Sequence, residues 1–363
     1  MPPRKRNKEN TGLPDRWRFY HGAYRYQVPP GYEHLWDGKK QFTLGKTLSE
    51  AYRVWAERLE QQTGDLKTLG DIMDRYALEV LPAKAAKTAR EQAPQLRRLR
   101  GAFGHMHPTS FKPMHAYAYR DKRSQKAPTA ANRELEILSH VFTKAIEWGA
   151  LERHPMIEGK FRKKKQPPRT RYVEDWEIVE ALSLEQKLTG KGKANKNDRT
   201  LAVHAYISLK LLTGLRRTDL LRLRMADITE DGIHVIPSKT KHSSGKATIY
   251  EWSPELQEAV DKARAARPVD ISPWLFCNRK GEPYQREDGT ANAFDSLWQR
   301  FMDRVLAETK VIERFQERDL RAKTATDAES LEHARALLSH ASASTTNRVY
   351  RRKPERVKPG KGR

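Results

Sequence analysis

The first hydrophobic pattern along the chain has a period of two. Aromatic and polar residues alternate through DRWRFYHGAYRYQV at 15–28, where Gly22 marks a turn, and KKQFTLG at 39–45 continues the alternation. TLSEAYRVWAERLEQQ at 47–62 instead spaces its apolar residues at helical intervals. Alternation is typical of half-buried strands, and a period near 3.6 is typical of an amphipathic helix. The pattern predicts a small β-sheet with one helix packed on it.

Helical periodicity dominates the next region, from about 66 to 158. LGDIMDRYALEVLP repeats apolar residues at helix spacing and stops at Pro82, and the basic helix QLRRLRGAFG ends at a glycine. TAANRELEILSHVFTKAIEWG at 129–149 predicts a long amphipathic helix with Gly149 as its stop signal. This region is therefore expected to be an all-helical domain.

A basic segment without hydrophobic periodicity follows. KFRKKKQPPRTR at 160–171 has seven basic residues, two prolines and no acidic residue, so it predicts an extended linker. It is either a solvated tether or a segment that lies along a phosphate backbone, and its charge favours the second.

Mixed patterns return from residue 172 onward. VEDWEIVEALSL and LAVHAYISLKLL predict helices, and GIHVIPSKTKHSSGKATIYEW at 232–252 predicts two strands joined by a turn at HSSGK. Ser253 and Pro254 are suited to the N-cap and first position of another helix, and more helices follow. The fold class is thus multidomain and mainly α, with small β elements.

The net charge says more about the partners of this chain than any other property of its composition. The chain has 70 Lys and Arg against 46 Asp and Glu, a formal net charge of +24, which indicates a polyanionic partner, above all nucleic acid. No apolar run approaches the roughly 18 residues that span a bilayer, so no membrane partner is expected. Cys277 is the only cysteine, which excludes an intrachain disulfide framework and fits a reducing compartment.

Candidate chemistry lies in four clusters of the last region: TGLRRTDLL at 213–221, SKTK at 238–241, RDLRAKTATD at 318–327 and LLSHASASTTNRVYRRK at 337–353. Within the first cluster, Arg216 and Asp219 are three residues apart, so they can share a helix face. The aromatic hydroxyl of Tyr350 stands among arginines, which suits a phenol that meets a phosphate. No carboxylate triad for two metals and no Walker-type glycine loop is visible, so neither metal nor cofactor is predicted.

Taken in order, these clusters resemble the motifs of the tyrosine recombinase family, of the bacteriophage integrase kind. The segment from Thr213 to Asp219 matches T-G-x-R-x-x-E/D, and Lys239 lies in the S-K-T context of a β-hairpin. RDLR matches H-x-L-R in part and supplies Arg321. The leucine-rich stretch that ends in a histidine, followed by a tyrosine, is matched by His340 and Tyr350.

The chain departs from the family pattern at three points. Arg318 replaces the first histidine of H-x-L-R, and Ser339 replaces the glycine before His340. The spacing from His340 to Tyr350 is ten residues, where nine is usual. The first departure removes a group that could transfer a proton, and the other two could shift local geometry.

The resemblance covers nearly the whole chain and implies its domain organisation. It implies an arm-type DNA-binding domain at 1–62, with 1–12 disordered, and a helical core-binding domain at 66–158. A basic linker at 159–171 leads to a mixed α/β, mostly helical catalytic domain at 172–363 that ends in a basic tail.

By the same resemblance, the protein is a phage or prophage integrase that cuts and rejoins DNA through a 3′-phosphotyrosyl link, without metal or ATP. The implied catalytic residues are Arg216, Lys239, Arg318, Arg321, His340 and the nucleophile Tyr350. Lys239 would protonate the departing 5′ oxygen, and Asp219 would orient Arg216 or neutralise excess charge. Arg318 is either a donor to the phosphate or a solvent-facing structural arginine.

Partners follow from the charge and the resemblance. The expected partners are double-stranded DNA attachment sites, three further copies of the chain in a homotetramer on DNA, and DNA-bending accessory proteins, in the bacterial cytoplasm. Basic residues expected to contact DNA are Arg25, Lys39, Lys40, Arg97, Arg98, Lys163, Lys164 and Lys165. Trp17, Tyr24 and Tyr26 are equally open to being the core of a tiny domain.

Three alternative functions remain open from the sequence. One is a non-catalytic DNA-binding protein on the same fold, against which the intact motif residues argue. A second is a metal-dependent transposase or nuclease. The third, a type IB topoisomerase, shares the chemistry, but the arm-like N-terminal region favours an integrase.

Overall fold

The computed structural model describes the residues Asn10, 13–14, 16–63, 66–156, 161–187, 199–239, Gly245, 247–340, 342–350 and 352–353. The chain divides into two compact units, Met1–Pro167 and Pro168–Arg363. Apart from Asn10, the segment predicted to be disordered at 1–12 lies outside the described residues, as does most of the basic tail. Asn10 differs from that prediction, because its Oδ1 accepts a hydrogen bond from the Phe19 N–H at 2.6 Å.

The N-terminal strands and helix form as predicted. Strands β1 (Trp17–Tyr20), β2 (Ala23–Gln27) and β3 (Gln41–Gly45) make an antiparallel sheet in that order, and helix α1 spans Leu48–Thr63. His21 and Gly22 turn the chain between β1 and β2 with positive φ angles of 48° and 67°, a conformation that Gly22 adopts without steric cost. Trp17 and Tyr26 pair across β1 and β2 and are buried, so they are core residues.

The rest of the first unit is helical. Its helices are α2 (Leu69–Arg75), α3 (Ala86–Phe103), α4 (Pro113–Ser124) and α5 (Pro128–Glu147). A Thr68–Asp71 capping box begins α2, whose chain continues as a π-helical turn over Tyr76–Val80 and ends before Pro82. Leu78 is buried in the aromatic core of the N-terminal sheet, so these two parts of the unit share packing. The division into domains at 1–62 and 66–158 stays a prediction.

The basic segment has no regular secondary structure over 161–171, and residues 162–164 lie against α4 and α5. The Asn132 side chain donates to the Lys164 carbonyl at 2.8 Å and accepts from the Lys164 N–H at 2.9 Å. Arg120 donates to the Arg162 carbonyl at 2.8 Å. Residues 162–164 are therefore docked on this unit by backbone hydrogen bonds rather than free in solvent.

The second unit is a helical domain with one described β-hairpin. Its elements are α6 (Asp175–Leu182), α7 (Thr200–Thr213), α8 (Arg217–Leu221), β4 (Gly232–Val235), β5 (Thr248–Glu251), α9 (Pro254–Ala265), α10 (Asn292–Glu308), α11 (Glu317–Asp327), α12 (Leu331–Leu337) and α13 (Ala343–Tyr350). The predicted hairpin and the Ser253 N-cap are confirmed, with the Ser253 side chain accepting from the Leu256 N–H. HSSGK at 242–246 lies outside the described residues apart from Gly245.

Helix α11 runs through the middle of this unit. Leu320, Ala322 and Ala325 on it are buried, and it packs against α7, α12 and α13. All three of these neighbouring helices carry or adjoin one of the predicted motifs. The packing of α11 therefore brings together residues that are more than a hundred positions apart in the chain.

Candidate active site

Arg321 is the buried centre of the candidate site. It lies on α11 with 5% of its surface exposed. Its guanidinium donates hydrogen bonds to the Gly214 carbonyl and, at 2.8 Å, to the Leu338 carbonyl. It also lies 3.1 Å from His340 Nε2. A guanidinium has five donors in a rigid plane, so these acceptors fix its orientation. Its Nε has no hydrogen-bond partner among the described residues, which leaves one buried donor unused.

Gly214 makes the turn that carries this acceptor into the site. It ends α7 with a φ of 61°, in the left-handed region that favours glycine. A Cβ at this position would lie 2.8 Å from Leu338 Cδ2, so a side chain would also collide with the segment before His340. The glycine of the TGLR motif is thus required both by backbone conformation and by close packing.

Arg216 follows this turn as the N-cap of α8, with an extended backbone at φ −63° and ψ 148°. The prediction that Arg216 and Asp219 share a helix face is therefore wrong, because the helix begins only at Arg217. No hydrogen bond or ion pair joins the two side chains in the described structure. Arg216 nevertheless lies close enough to His340 and Arg321 for its charge to lower the pKa of both.

Asp219 contacts the β-hairpin instead. Its Oδ1 accepts the Ser238 N–H at 2.9 Å, and the carboxylate is 8% exposed. Ser238 directly precedes Lys239, whose side chain is exposed. Asp219 therefore ties down the backbone next to Lys239 while the lysine side chain stays free to move.

The other strand of the hairpin is held beside His340. The Tyr250 hydroxyl donates to the Leu337 carbonyl at 2.9 Å, and the hydroxyl oxygens of Thr248 and Ser339 lie 2.9 Å apart. Ser339 occupies the position where the family motif has glycine, and its φ is 48°. This left-handed backbone explains why glycine is usual there, and the Ser339 hydroxyl gains a partner on β5.

His340 is held between two side chains. Its Nε2 faces Arg321, which can only donate, and its Nδ1 lies 2.9 Å from Thr346 Oγ1. This arrangement places the ring proton on Nδ1, where it is donated to Thr346. Burial, followed by the charges of Arg321, Arg216 and Lys239, lowers the pKa of His340 to about 4. Four of the predicted residues thus share one electrostatic neighbourhood.

In the DNA-free protein, the His340 ring is expected to stay neutral through pH 7 to 5.5 and to titrate near pH 4. Since its pKa is depressed, the stability that the neutral ring contributes is complete above pH 6.5 and declines as the pH falls toward 4. NMR of protein labelled with ¹⁵N-histidine would follow the ring, with His340→Gln assigning its signal. Removing the adjacent charge in Arg321→Gln should raise the pKa, and a wild-type midpoint between 6 and 7 would contradict this electrostatic picture.

Tyr350 ends α13 and is half-buried. Its ring lies 5.4 Å from the Arg321 guanidinium carbon and 5.1 Å from the His340 ring, measured to the ring centroid. Its apolar face packs with a small cluster that contains Ala325 and Leu338. The ring is therefore held by packing on Ala325 and Leu338 and also lies beside the cationic Arg321 and the neutral His340.

Arg318 is the one predicted catalytic residue that has no described contact with this group. It lies in the first turn of α11, one turn before Arg321, and its side chain is exposed. No hydrogen bond or ion pair to it occurs in the described parts of the chain. Its role at the phosphate stays a prediction.

Sequence reasoning missed several residues that hold the site together. Thr346 holds His340, and Thr326 contacts the Tyr350 carbonyl and the Arg352 N–H. Lys210 is fully buried beside α11 and is paired with Glu317, which also accepts from the Tyr206 hydroxyl at 2.7 Å. Small hydroxyl residues at short spacing were the only signal for the two threonines, and such residues are common in any helix.

The basic residues of the first unit that are predicted to contact DNA differ in whether their side chains already bind another part of the protein. Arg97 donates to the Pro30 carbonyl at 2.5 Å, Arg98 pairs with the buried Glu134 at 2.9 Å, and Lys163 pairs with Glu136. Lys40 and Lys165 are exposed. Arg25 and Lys39 lie over the rings of Tyr20 and Phe42, and Lys164 is tied to α5 through its backbone.

Over the described ranges, no three His, Cys, Asp or Glu side chains are grouped so that they could bind a metal ion. The helices in those ranges are all too short or too polar to cross a bilayer.

Comparison with known proteins gives a match to one family model and a similar fold in solved structures that include two DNA-bound integrases. Residues 186–356 match the sequence model of the phage integrase family. No curated protein matches the chain. A lambda integrase tetramer bound to a Holliday junction has a similar fold, with 18% identity and a TM-score of 0.61, covering 96% of this chain and 99% of that one. The Tn1549 transposon integrase in complex with transposon right end DNA has 15% identity and a TM-score of 0.61, covering 78% of this chain and 94% of that one.

Proposed function

We propose that the chain is a site-specific recombinase that cuts and rejoins DNA through a covalent bond to Tyr350, in keeping with the match of residues 186–356 to the phage integrase family model. The observation that carries the proposal is the position of the Tyr350 ring beside the Arg321 guanidinium and the His340 ring. A phosphate group that approached the phenol would meet the cationic side of the site.

The cations Arg216 and Arg321 are proposed to bind the phosphate under attack. A phosphodiester is anionic, and its negative charge grows on the non-bridging oxygens as the nucleophile adds. Guanidinium groups keep their charge near neutral pH and can donate two parallel hydrogen bonds to phosphate oxygens. Burial of Arg321 in a shell of carbonyls makes its orientation independent of DNA. Such preorganised donors are worth about 3–4 kcal/mol of transition-state stabilisation each.

His340 is proposed to donate a hydrogen bond to the phosphate. In the DNA-free structure its Nε2 is an acceptor for Arg321, so binding of phosphate would require the ring proton to move to Nε2 or a second proton to be taken up. An anion in the site would favour both, because the positive neighbours that now lower the pKa would be neutralised.

The chemical steps can then be assigned to residues. The Tyr350 oxygen forms a bond to phosphorus and releases its proton to solvent, while the bond from phosphorus to the 5′ oxygen breaks. Lys239 gives a proton to that departing oxygen, and Asp219 keeps the hairpin backbone beside Lys239 in place. One phosphoester bond forms for the one that breaks, so the 3′-phosphotyrosyl product is still a phosphodiester. A 5′ hydroxyl can therefore reverse the reaction without ATP.

Contacts outside the reacting group follow from charge. We propose that Arg318, exposed at the start of α11, donates to a phosphate oxygen with a permanent charge where the family has histidine. Exposed basic residues such as Lys40 and Lys165 would neutralise phosphates along the duplex. The division into arm-binding, core-binding and catalytic domains belongs to the same proposal.

The assembly proposed for the active state is a homotetramer on two attachment sites. The lambda integrase of similar fold is a tetramer on a Holliday junction, and the similar fold extends over 96% of this chain. The substrate would be double-stranded phage or prophage DNA, with DNA-bending proteins as accessory partners. The site of action would be the bacterial cytoplasm.

Covalent trapping tests the proposed function directly. The full-length protein is mixed with junction DNA of its own element that carries a nick next to the expected cleavage site, so that the cleaved fragment diffuses away. We expect a protein–DNA adduct that resists denaturant and forms equally well in excess EDTA. DNA binding without any adduct would support a non-catalytic DNA-binding protein, and a strict need for magnesium would support a metal-dependent nuclease.

A further inference from the structure

The end of α13 is held by hydrogen bonds that join Tyr350 and Arg352 to helix α11. A nucleophile reacts efficiently only when it is kept at about 3–3.5 Å from its target and in line with the leaving group. Tyr350 is the last residue of a helix of eight residues, a position where helices ordinarily fray. Some further contact must therefore limit the movement of Tyr350.

Thr326 contacts the backbone at Tyr350 and again two residues later, at Arg352. Its hydroxyl oxygen lies 3.0 Å from the Tyr350 carbonyl oxygen, to which it donates, and 3.0 Å from the Arg352 N–H, from which it accepts. The same hydroxyl is 2.7 Å from the Ala322 carbonyl, so its single proton is shared between two carbonyls. Thr326 is 8% exposed, which means that water cannot readily replace these bonds.

Arg352 anchors the same segment through its side chain. Its guanidinium donates to Asp319 Oδ1 at 2.8 Å and to the Arg171 carbonyl at 2.5 Å. Asp319 is fully buried and also receives a bidentate pair from Arg169 at 2.7 and 2.6 Å. The guanidinium of Arg169 and that of Arg352 help hold the pKa of Asp319 below its usual value, although its burial acts in the opposite direction. The anchor is therefore an ionised carboxylate between two guanidinium groups.

Both anchors lie on α11, the helix that carries Arg321. Thr326 and Asp319 are on the same helix as the proposed phosphate-binding arginine, on either side of it in sequence. The bonds thus join Tyr350 and Arg352 to the helix that orients the phosphate. Movement of Tyr350 relative to Arg321 would require breaking them.

We propose that Thr326 and Arg352 are positioning residues for the reaction of Tyr350: the Thr326 hydroxyl and the Arg352–Asp319 ion pair hold the nucleophile in register with Arg321. This rests on the proposed function of Tyr350. Neither side chain touches the reacting atoms. Their effect is on the fraction of time in which the phenol oxygen is placed for attack.

The test is single-turnover cleavage of the nicked substrate at saturating DNA. Thr326→Val removes the hydroxyl and keeps the volume, and it should slow adduct formation by about tenfold to a hundredfold with little change in DNA affinity. Thr326→Ser restores the hydroxyl and should recover most of the rate. Arg352→Gln, which removes the charge, should slow the reaction in the same direction.

A matched control is Thr309→Val at the end of α10, which removes a hydroxyl that, like that of Thr326, donates to a backbone carbonyl, that of Val305 at 2.7 Å, and accepts from a backbone N–H, that of Val311 at 3.2 Å. We expect it to lower thermal stability by a similar amount and to leave the cleavage rate close to wild type. Equal rate losses in both valine variants, or a wild-type rate in Thr326→Val, would overturn the proposal.

A substrate with sulfur in place of the bridging 5′ oxygen separates positioning from proton donation. A thiolate leaves without being protonated, so this substrate should restore the rate of Lys239→Ala but not that of Thr326→Val. Restoration of Thr326→Val by the sulfur substrate would show that the threonine acts on the leaving group, and would refute the proposal. Absence of adduct from the wild-type protein in the same assay would instead reject the proposed function itself.

Discussion

Tyr350→Phe is expected to bind junction DNA with the affinity of the parent protein and to form no covalent adduct at all. The substitution removes one oxygen from a half-buried ring and leaves its packing on Ala325 and Leu338 in place. The ring can also keep its position next to the Arg321 guanidinium. Since no other group in the proposed mechanism bonds to phosphorus, the loss should be complete rather than partial.

Denaturing gels of trapped complexes, together with gel shifts for binding, would measure both properties. Tyr284→Phe is the matched control, because Tyr284 is a buried tyrosine of the same unit whose ring lies in the hydrophobic core. It should form adduct at the wild-type level. If Tyr350→Phe still formed adduct, the nucleophile would have to be a different residue.

Replacement of Arg321 is expected to have the next largest effect. Arg321→Lys keeps a positive charge, but a single ammonium cannot serve the Gly214 and Leu338 carbonyls and also present a flat pair of donors to a phosphate. The cleavage rate should fall on the order of a hundredfold to a thousandfold, the loss measured when a preorganised donor is removed from an oxyanion site. Single-turnover rates at saturating DNA would show the decrease.

Two comparisons make the Arg321 result specific. Arg318→Ala, one turn earlier on the same helix, removes an exposed side chain without described contacts and should slow cleavage by a smaller factor. Thermal melting of Arg321→Lys would reveal how much of its loss comes from destabilised folding. A wild-type cleavage rate in folded Arg321→Lys would mean that charge alone, without guanidinium geometry, is sufficient.

Much of the local structure could be predicted from the sequence because it depends on neighbours in the chain. The alternation around Gly22, the Ser253 N-cap and the hairpin from Gly232 to Glu251 all involve residues within about twenty positions of each other. Tyr350 and His340 were likewise identified by motif order and spacing, and they do lie side by side. The positive φ of Ser339 gives a conformational reason for the glycine that the motif usually has there.

The prediction for Arg216 failed because it depended on the residue at which helix α8 begins. Arg216 was placed on a helix face with Asp219 from a spacing of three residues, but spacing carries no information on where a helix begins. The left-handed turn at Gly214 delays the start of α8 until Arg217, and Asp219 then meets the Ser238 N–H from the hairpin. The role of a carboxylate depends on which donor lies within about 3 Å, which only the fold determines.

The sequence by itself determined the identity and order of the chemical groups, since residue types at motif spacing are a property of the chain. Only the tertiary structure decided how they are oriented. The carbonyls that fix Arg321, from Gly214 and Leu338, are 107 and 17 residues away. The bonds that hold the chain around Tyr350 come from Thr326, 24 residues earlier. A backbone carbonyl or a threonine hydroxyl has no distinguishing pattern in a sequence, and it becomes a specific partner only when packing excludes water and brings it within hydrogen-bond distance.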